Sequence, residues 1–81
     1  NLTEQNIKLK ISPNPSDGVF YLQSPELNTF ELSVFDITGE KLLHRSERGN
    51  MIDLSNLSNG VYIIRVITNE QSFAEKVIIQ R

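Results

Sequence analysis

Apolar residues recur along this chain with a period of two, in short runs. Ile7, Leu9 and Ile11 alternate with Lys8 and Lys10, and Phe30, Leu32 and Val34 alternate with Glu31 and Ser33. Successive side chains of an extended strand point to opposite faces, so such runs have one wet face and one dry face. Helical spacing, with apolar positions at i, i+3, i+4 and i+7, is sustained nowhere over a window of about 11 residues. Pro, Gly, Asn, Asp and Ser close the runs, and these are the residues that turns select for their backbone geometry. The spacing predicts strands at residues 7–11, 19–23, 30–34, 41–45, 51–54, 60–66 and 73–81, with a polar loop at 46–50 and turns between. About seven short strands with turn signals every 8–12 residues predict an all-β, Ig-like antiparallel sandwich. The final run extends to Arg81, a position from which a strand can offer its end to a partner.

Length and composition bound what holds such a fold together. The chain has 81 residues, enough for one small domain with a thin core. It has no cysteine and one histidine, His44, so neither a disulfide nor a thiolate or multi-histidine metal centre can staple it. Apolar strands must carry the stability. Eight basic and ten acidic residues give a formal charge of −2 without a run of like charge. Nucleic-acid binding needs a basic face, and a polybasic membrane anchor needs a basic cluster; neither is present in the pattern. No apolar run approaches the roughly 20 residues of a membrane helix, and direct membrane insertion is not expected. The sequence starts at Asn1 without a methionine or a leader, which reads as a piece of a longer protein, with residues 1–6 a linker from an upstream part and 7–81 the domain.

The residues able to do chemistry are scattered over turns and wet strand faces. A nucleophilic serine needs a base beside it, and His44 sits at a strand end next to Arg45. Asp17, Asp36, Asp53, Glu40 and Glu75 each fall at a turn or on a polar strand face, not in the apolar cleft that paired glycosidase carboxylates require. Asn14, Asp17 and Asp36 could contribute oxygen ligands to calcium, but side chains of this type also stabilise turns directly. Phe20 and Tyr21 are adjacent, so one must leave the core side; Phe35 is out of phase with its strand. The expectation is no enzyme activity and no cofactor. An accessory module of an extracellular enzyme, binding glycan through Tyr21 or Phe35 or binding calcium, is the alternative function, and an inert spacer a third. Tyr62, just inside a strand after the turn 57–60, resembles a tyrosine corner, whose hydroxyl bonds upstream backbone.

Four segments in order resemble the type A C-terminal sorting domain of the type IX (Por) secretion system. Ile11-Ser12-Pro13-Asn14-Pro15-Ser16-Asp17-Gly18 is similar to its opening hydrophobic-x-P-N-P-x-x-G motif. Leu32-Ser33-Val34-Phe35-Asp36-Ile37-Thr38-Gly39 resembles its central V-x-D-x-x-G hairpin. The D-L-S-x-L-x-x-G-x-Y segment is resembled by the residues from Ile52 to Tyr62, and the closing strand by the residues from Phe73 to Gln80. Each motif alone is ordinary turn chemistry; four in sequence are specific. Ile11 stands where an aromatic is common in the family, a mild variation.

The resemblance implies a non-enzymatic secretion signal. Such a domain directs an attached N-terminal cargo from the periplasm through the outer-membrane translocon, with its shuttle proteins, to the cell surface or medium. A surface sortase commonly removes it, here at or before residues 1–6. The candidate partner-binding residues are Pro13, Asn14 and Pro15 in the first turn and Lys76, Val77, Ile78, Ile79, Gln80 and Arg81 in the last strand. For the prolines and Asn14 a rigid strand-ending turn is the competing reading, and for Lys76 and Arg81 it is charge that blunts an edge. Gly18, Asp36, Gly39, Gly60 and Tyr62 are expected to serve the fold.

Overall fold

The computed structural model describes residues 10–23, 29–68 and 72–81. All of its regular elements among these residues are strands: β1 (Lys10–Ser12), β2 (Val19–Gln23), β3 (Thr29–Asp36), β4 (Lys41–Arg48), β5 (Met51–Asp53), β6 (Gly60–Ile67) and β7 (Ser72–Ile79). They form a three-stranded sheet in the order β1-β2-β5 and a four-stranded sheet in the order β4-β3-β6-β7. Every ladder is antiparallel. The all-β sandwich expected from the alternation is the fold. Expected strand positions Ile7 and Leu9 lie outside the described residues.

The alternation builds the core. Ile11, Phe20, Leu22, Ile52 and Leu54 from one sheet meet Phe30, Leu32, Val34, Tyr62, Ile64, Val66, Val77 and Ile79 from the other in one buried cluster. Burial of side chains of this size stabilises by about 1.5–3 kcal/mol each before entropy is charged. Phe20 takes the core side and leaves Tyr21 44% exposed on the outer face.

The fourth strand departs from the expected pattern. Residues 46–50 read as a polar loop, but β4 continues to Arg48 because β3 supplies a ladder for it: Ser46 faces Glu31, Glu47 faces Phe30 and Arg48 faces Thr29. An edge strand with little apolar content is held by backbone pairing and by polar contacts to its neighbours, here Ser46 Oγ to Glu31 at 2.8 Å and Arg45 Nη2 to Asp53 O at 2.7 Å. In the constant-type Ig arrangement the fourth strand joins the sheet of the first, second and fifth. Here the tight hairpin after Asp36, closed by Gly39 N–H to Asp36 O at 3.0 Å, folds β4 straight back onto β3. β3 itself runs on past Val34 to Asp36, with a register shift between Val34 and Phe35.

The two sheets are tied at one end. Ser16, between β1 and β2, forms a parallel bridge with Ile79 of β7. The peptide bonds Ser12–Pro13 and Asn14–Pro15 are both cis.

Candidate functional site

The candidate residues collect at one pole of the sandwich. β3 ends at Asp36, β6 begins at Gly60 and β7 ends at Ile79; in register, Asp36 lies opposite Tyr62, Tyr62 opposite Val77, and Gly60 opposite Ile79. The turn after β1 is bonded to the same end of β7. Segments far apart in sequence thus share one surface, and each is held by identifiable bonds.

Asn14 occupies the edge of β7. Its side-chain nitrogen donates to Lys76 O and its side-chain oxygen accepts from Ile78 N, both at 3.0 Å. Two residues on, the backbone of Ser16 takes over: its N–H donates to Ile78 O at 2.9 Å and its carbonyl accepts from Gln80 N at 2.8 Å. The Ser16 side chain is buried and bonded within its own turn, donating to Val19 O at 2.6 Å and accepting from Gly18 N at 3.0 Å. Pro13 and Pro15 are exposed on either side of Asn14.

Arg81 bridges to the turn before β6. Its guanidinium donates to Ser55 O at 2.9 Å, and its backbone N–H donates to Asn59 Oδ1 at 3.1 Å. Gly18 lies beneath this bridge with φ +131°; a Cβ there would stand 2.9 Å from Arg81 Nη2 and 3.0 Å from Ser55 Cα. Tyr62 makes the expected corner: its hydroxyl donates to Ser58 O at 2.7 Å.

Two carboxylates build the turns of this pole. Asp36 Oδ1 accepts from Thr38 Oγ1 at 2.6 Å, Thr38 N at 2.9 Å and Glu40 N at 3.0 Å. These bonds, led by the Thr38 hydroxyl, hold its pKa below the ordinary 3.8. Asp53 does the same for Ser55, accepting from the hydroxyl at 2.6 Å and the N–H at 3.0 Å; the Ser55 hydroxyl first, then the Ser55 N–H and the nearby Arg45 charge, lower its pKa. Of the residues weighed as calcium ligands, Asp36 uses Oδ1 in its own turn and Asn14 uses Oδ1 on the edge of β7.

The side chains of Val77 and Ile79 point into the core and are 0% and 1% exposed. Period two in β7 dictates this, so neither side chain is available to a partner. On the surface remain Pro13, Asn14, Pro15, Lys76, Gln80 and Arg81, with Ile78 half-buried on the outer face. Sequence reasoning passed over Ser16, Ser55 and Asn59. All three sit in turns whose composition was legible, but nothing local announces that a turn serine will bond a strand more than 60 residues away. Tyr21 and Phe35 lie on the outer faces of different sheets, so they cannot make one aromatic platform for a sugar.

The family described as "Secretion system C-terminal sorting domain" matches residues 10–80. The chain belongs to that family, the type IX secretion sorting domain. No curated protein matched the chain. A sorting domain of this family is a non-catalytic tag, consistent with an all-β pole built from turns. Its place is at the cell surface or in the medium, reached by type IX export of an attached cargo.

Proposed function

We propose that the pole formed by the turns 13–18, 36–40 and 55–60 and the last residues of β7 is the surface by which the type IX translocon and its shuttle proteins read this sorting domain. The observation that carries the reading is the convergence of all four motif segments there, with Asn14, Ser16 and Arg81 fastening the turns to the last strand. A folded signal needs a fixed shape, and rigid display lowers the ordering cost of recognition. Pro13, Asn14, Pro15, Lys76, Ile78, Gln80 and Arg81 are the contact residues; Gly18, Asp36, Gly39, Gly60 and Tyr62 hold them in place. The cargo precedes the domain, passes through the periplasm with it, and is released by a surface sortase cutting at or before residues 1–6.

The test is a transport assay. Residues 1–81 are fused behind a leader-bearing fluorescent reporter in a cell with a working type IX translocon. The wild-type fusion is expected at the surface or in the medium, with a new terminus near residues 1–6 visible by mass spectrometry. Gln80→Glu, at an exposed position of the pole, is expected to retain the fusion in the periplasm while the purified variant unfolds in urea as the wild type does. Surface delivery of that folded variant at the wild-type level would remove the pole from recognition, and periplasmic retention of the wild type would remove the sorting role.

A further inference from the structure

The edge of β7 is only half closed. Lys76 O, Ile78 N, Ile78 O and Gln80 N all face away from β6, because Asn14 and Ser16 bond them from outside. N–H and C=O of a strand residue point to the same side, and the side alternates along the strand. The N–H and C=O of Ala74 and the N–H of Lys76 therefore face outward as well. The covering segment does not reach them, and they have no partner among the described residues. Among the described residues β7 is the last strand of the four-stranded sheet on this side.

The chemistry beside this gap has a sign. Arg65 faces Ala74 across the β6–β7 ladder, and Lys76 is the next outer-face residue of β7. Both are exposed, and the ion pairs among the described residues are His44–Glu31 and Arg45–Glu47, which use neither. Ala74 is small, so the Arg65 guanidinium is not screened from the edge by a bulky neighbour. A chain of net charge −2 thus presents, beside this backbone edge, two cations that have no ion-pair partner among the described residues.

We propose that the Ser72–Lys76 stretch of β7 receives an extended segment of a protein of the export apparatus, which adds as a strand and sets a carboxylate against Arg65 and Lys76. A row of strand-edge N–H and C=O groups repeats at the spacing of another extended backbone, which favours an extended polypeptide over a lipid or glycan. The added strand spans roughly five residues, and the clasp at Asn14 and Ser16 stops it from sliding toward Arg81, which fixes its register. This inference rests on the sorting reading and adds a second contact, away from the turns of the pole.

Ala74→Pro removes only an outward N–H, and proline is tolerated on strand edges. In the transport assay, the folded Ala74→Pro fusion is expected to reach the surface at least about tenfold less than the wild type, the order of loss for one or two hydrogen bonds. Arg65→Glu, which leaves the backbone untouched and changes none of the pole's contact residues, is expected to lower delivery several-fold, whereas Arg48→Glu on the far edge strand is expected to leave it unchanged. If Ala74→Pro fails to fold, Arg65→Glu decides. Wild-type delivery by the folded edge variants, with loss in Gln80→Glu, would overturn this inference and leave the sorting reading standing; retention of the wild-type fusion would overturn the sorting reading itself. Sedimentation of the isolated domain is expected to give a monomer, and a dimer abolished by Ala74→Pro would assign the edge to a second copy of this chain instead.

Discussion

The side-chain oxygen of Asn14 accepts the amide proton of Ile78 at 3.0 Å, across 64 positions of sequence. Its amide nitrogen completes the pair on Lys76 O. One side chain thereby does on the outside of β7 what a residue of a neighbouring strand would do, and it couples the first turn of the domain to its last strand.

Asn14→Ala should lower stability by about 1–2 kcal/mol, since two exposed hydrogen bonds are lost at roughly 0.5–1.5 kcal/mol each. Urea unfolding measures the loss. Amide exchange separates this cause from general loosening: Ile78 N–H should exchange faster in the variant than in the wild type, while Gln80 N–H, bonded to Ser16 O, should change less. Equal acceleration at both would mean that the whole turn had detached.

The sandwich itself was legible because period two is an all-or-nothing pattern: with Phe20, Leu22, Leu32, Val34, Ile64 and Val66 inward, no helix could bury the same set. The Tyr62 corner was legible too, since its acceptor at Ser58 is four residues away. What stayed hidden was non-local. Residues 46–48 look like loop until β3 supplies their ladder. Asn14 and Ser16 look like ordinary turn residues until β7 arrives beside them. Composition reports what a segment can bury by itself; an edge that another segment will cover leaves no trace in it.

Tyr62→Phe should cost about 1 kcal/mol in urea unfolding. The ring stays buried, so only the bond from the hydroxyl to Ser58 O is removed, leaving a part-buried carbonyl without its donor. An unchanged urea midpoint would show that water replaces the hydroxyl at no cost.

Acid should weaken the domain through Asp36 and Asp53. Both have folded pKa values below the 3.8 expected of a free carboxyl. A group depressed on folding stabilises fully above its unfolded pKa and loses that contribution as pH falls through its folded value. The window therefore opens near pH 3.8 and continues below it. Urea midpoints followed from about pH 5 to about pH 2 should fall less steeply in Asp36→Asn and Asp53→Asn than in the wild type. Parallel curves for the wild type and both variants would show that other carboxylates govern the acid limb.

Two glycines with positive φ separate backbone strain from crowding. Gly39 has φ +94° and open space where a Cβ would stand, whereas at Gly18, with φ +131°, a Cβ would meet Arg81 Nη2 at 2.9 Å and Ser55 Cα at 3.0 Å. Gly39→Ala should therefore cost only the left-handed penalty, about 1–2 kcal/mol. Gly18→Ala should cost about 1 kcal/mol more, because the Ser55 backbone cannot turn aside as a side chain can. The Arg81 guanidinium can move, but only by giving up its bond to Ser55 O. Repeating Gly18→Ala in an Arg81→Ala background apportions the excess: a cost that falls to the Gly39→Ala value would place the crowding in the arginine, and a cost that persists would place it in the Ser55 backbone. Persistence is the expected result, since the turn at Ser55 is held by Asp53 from one side and by Leu54 N–H to Gly18 O at 2.7 Å from the other.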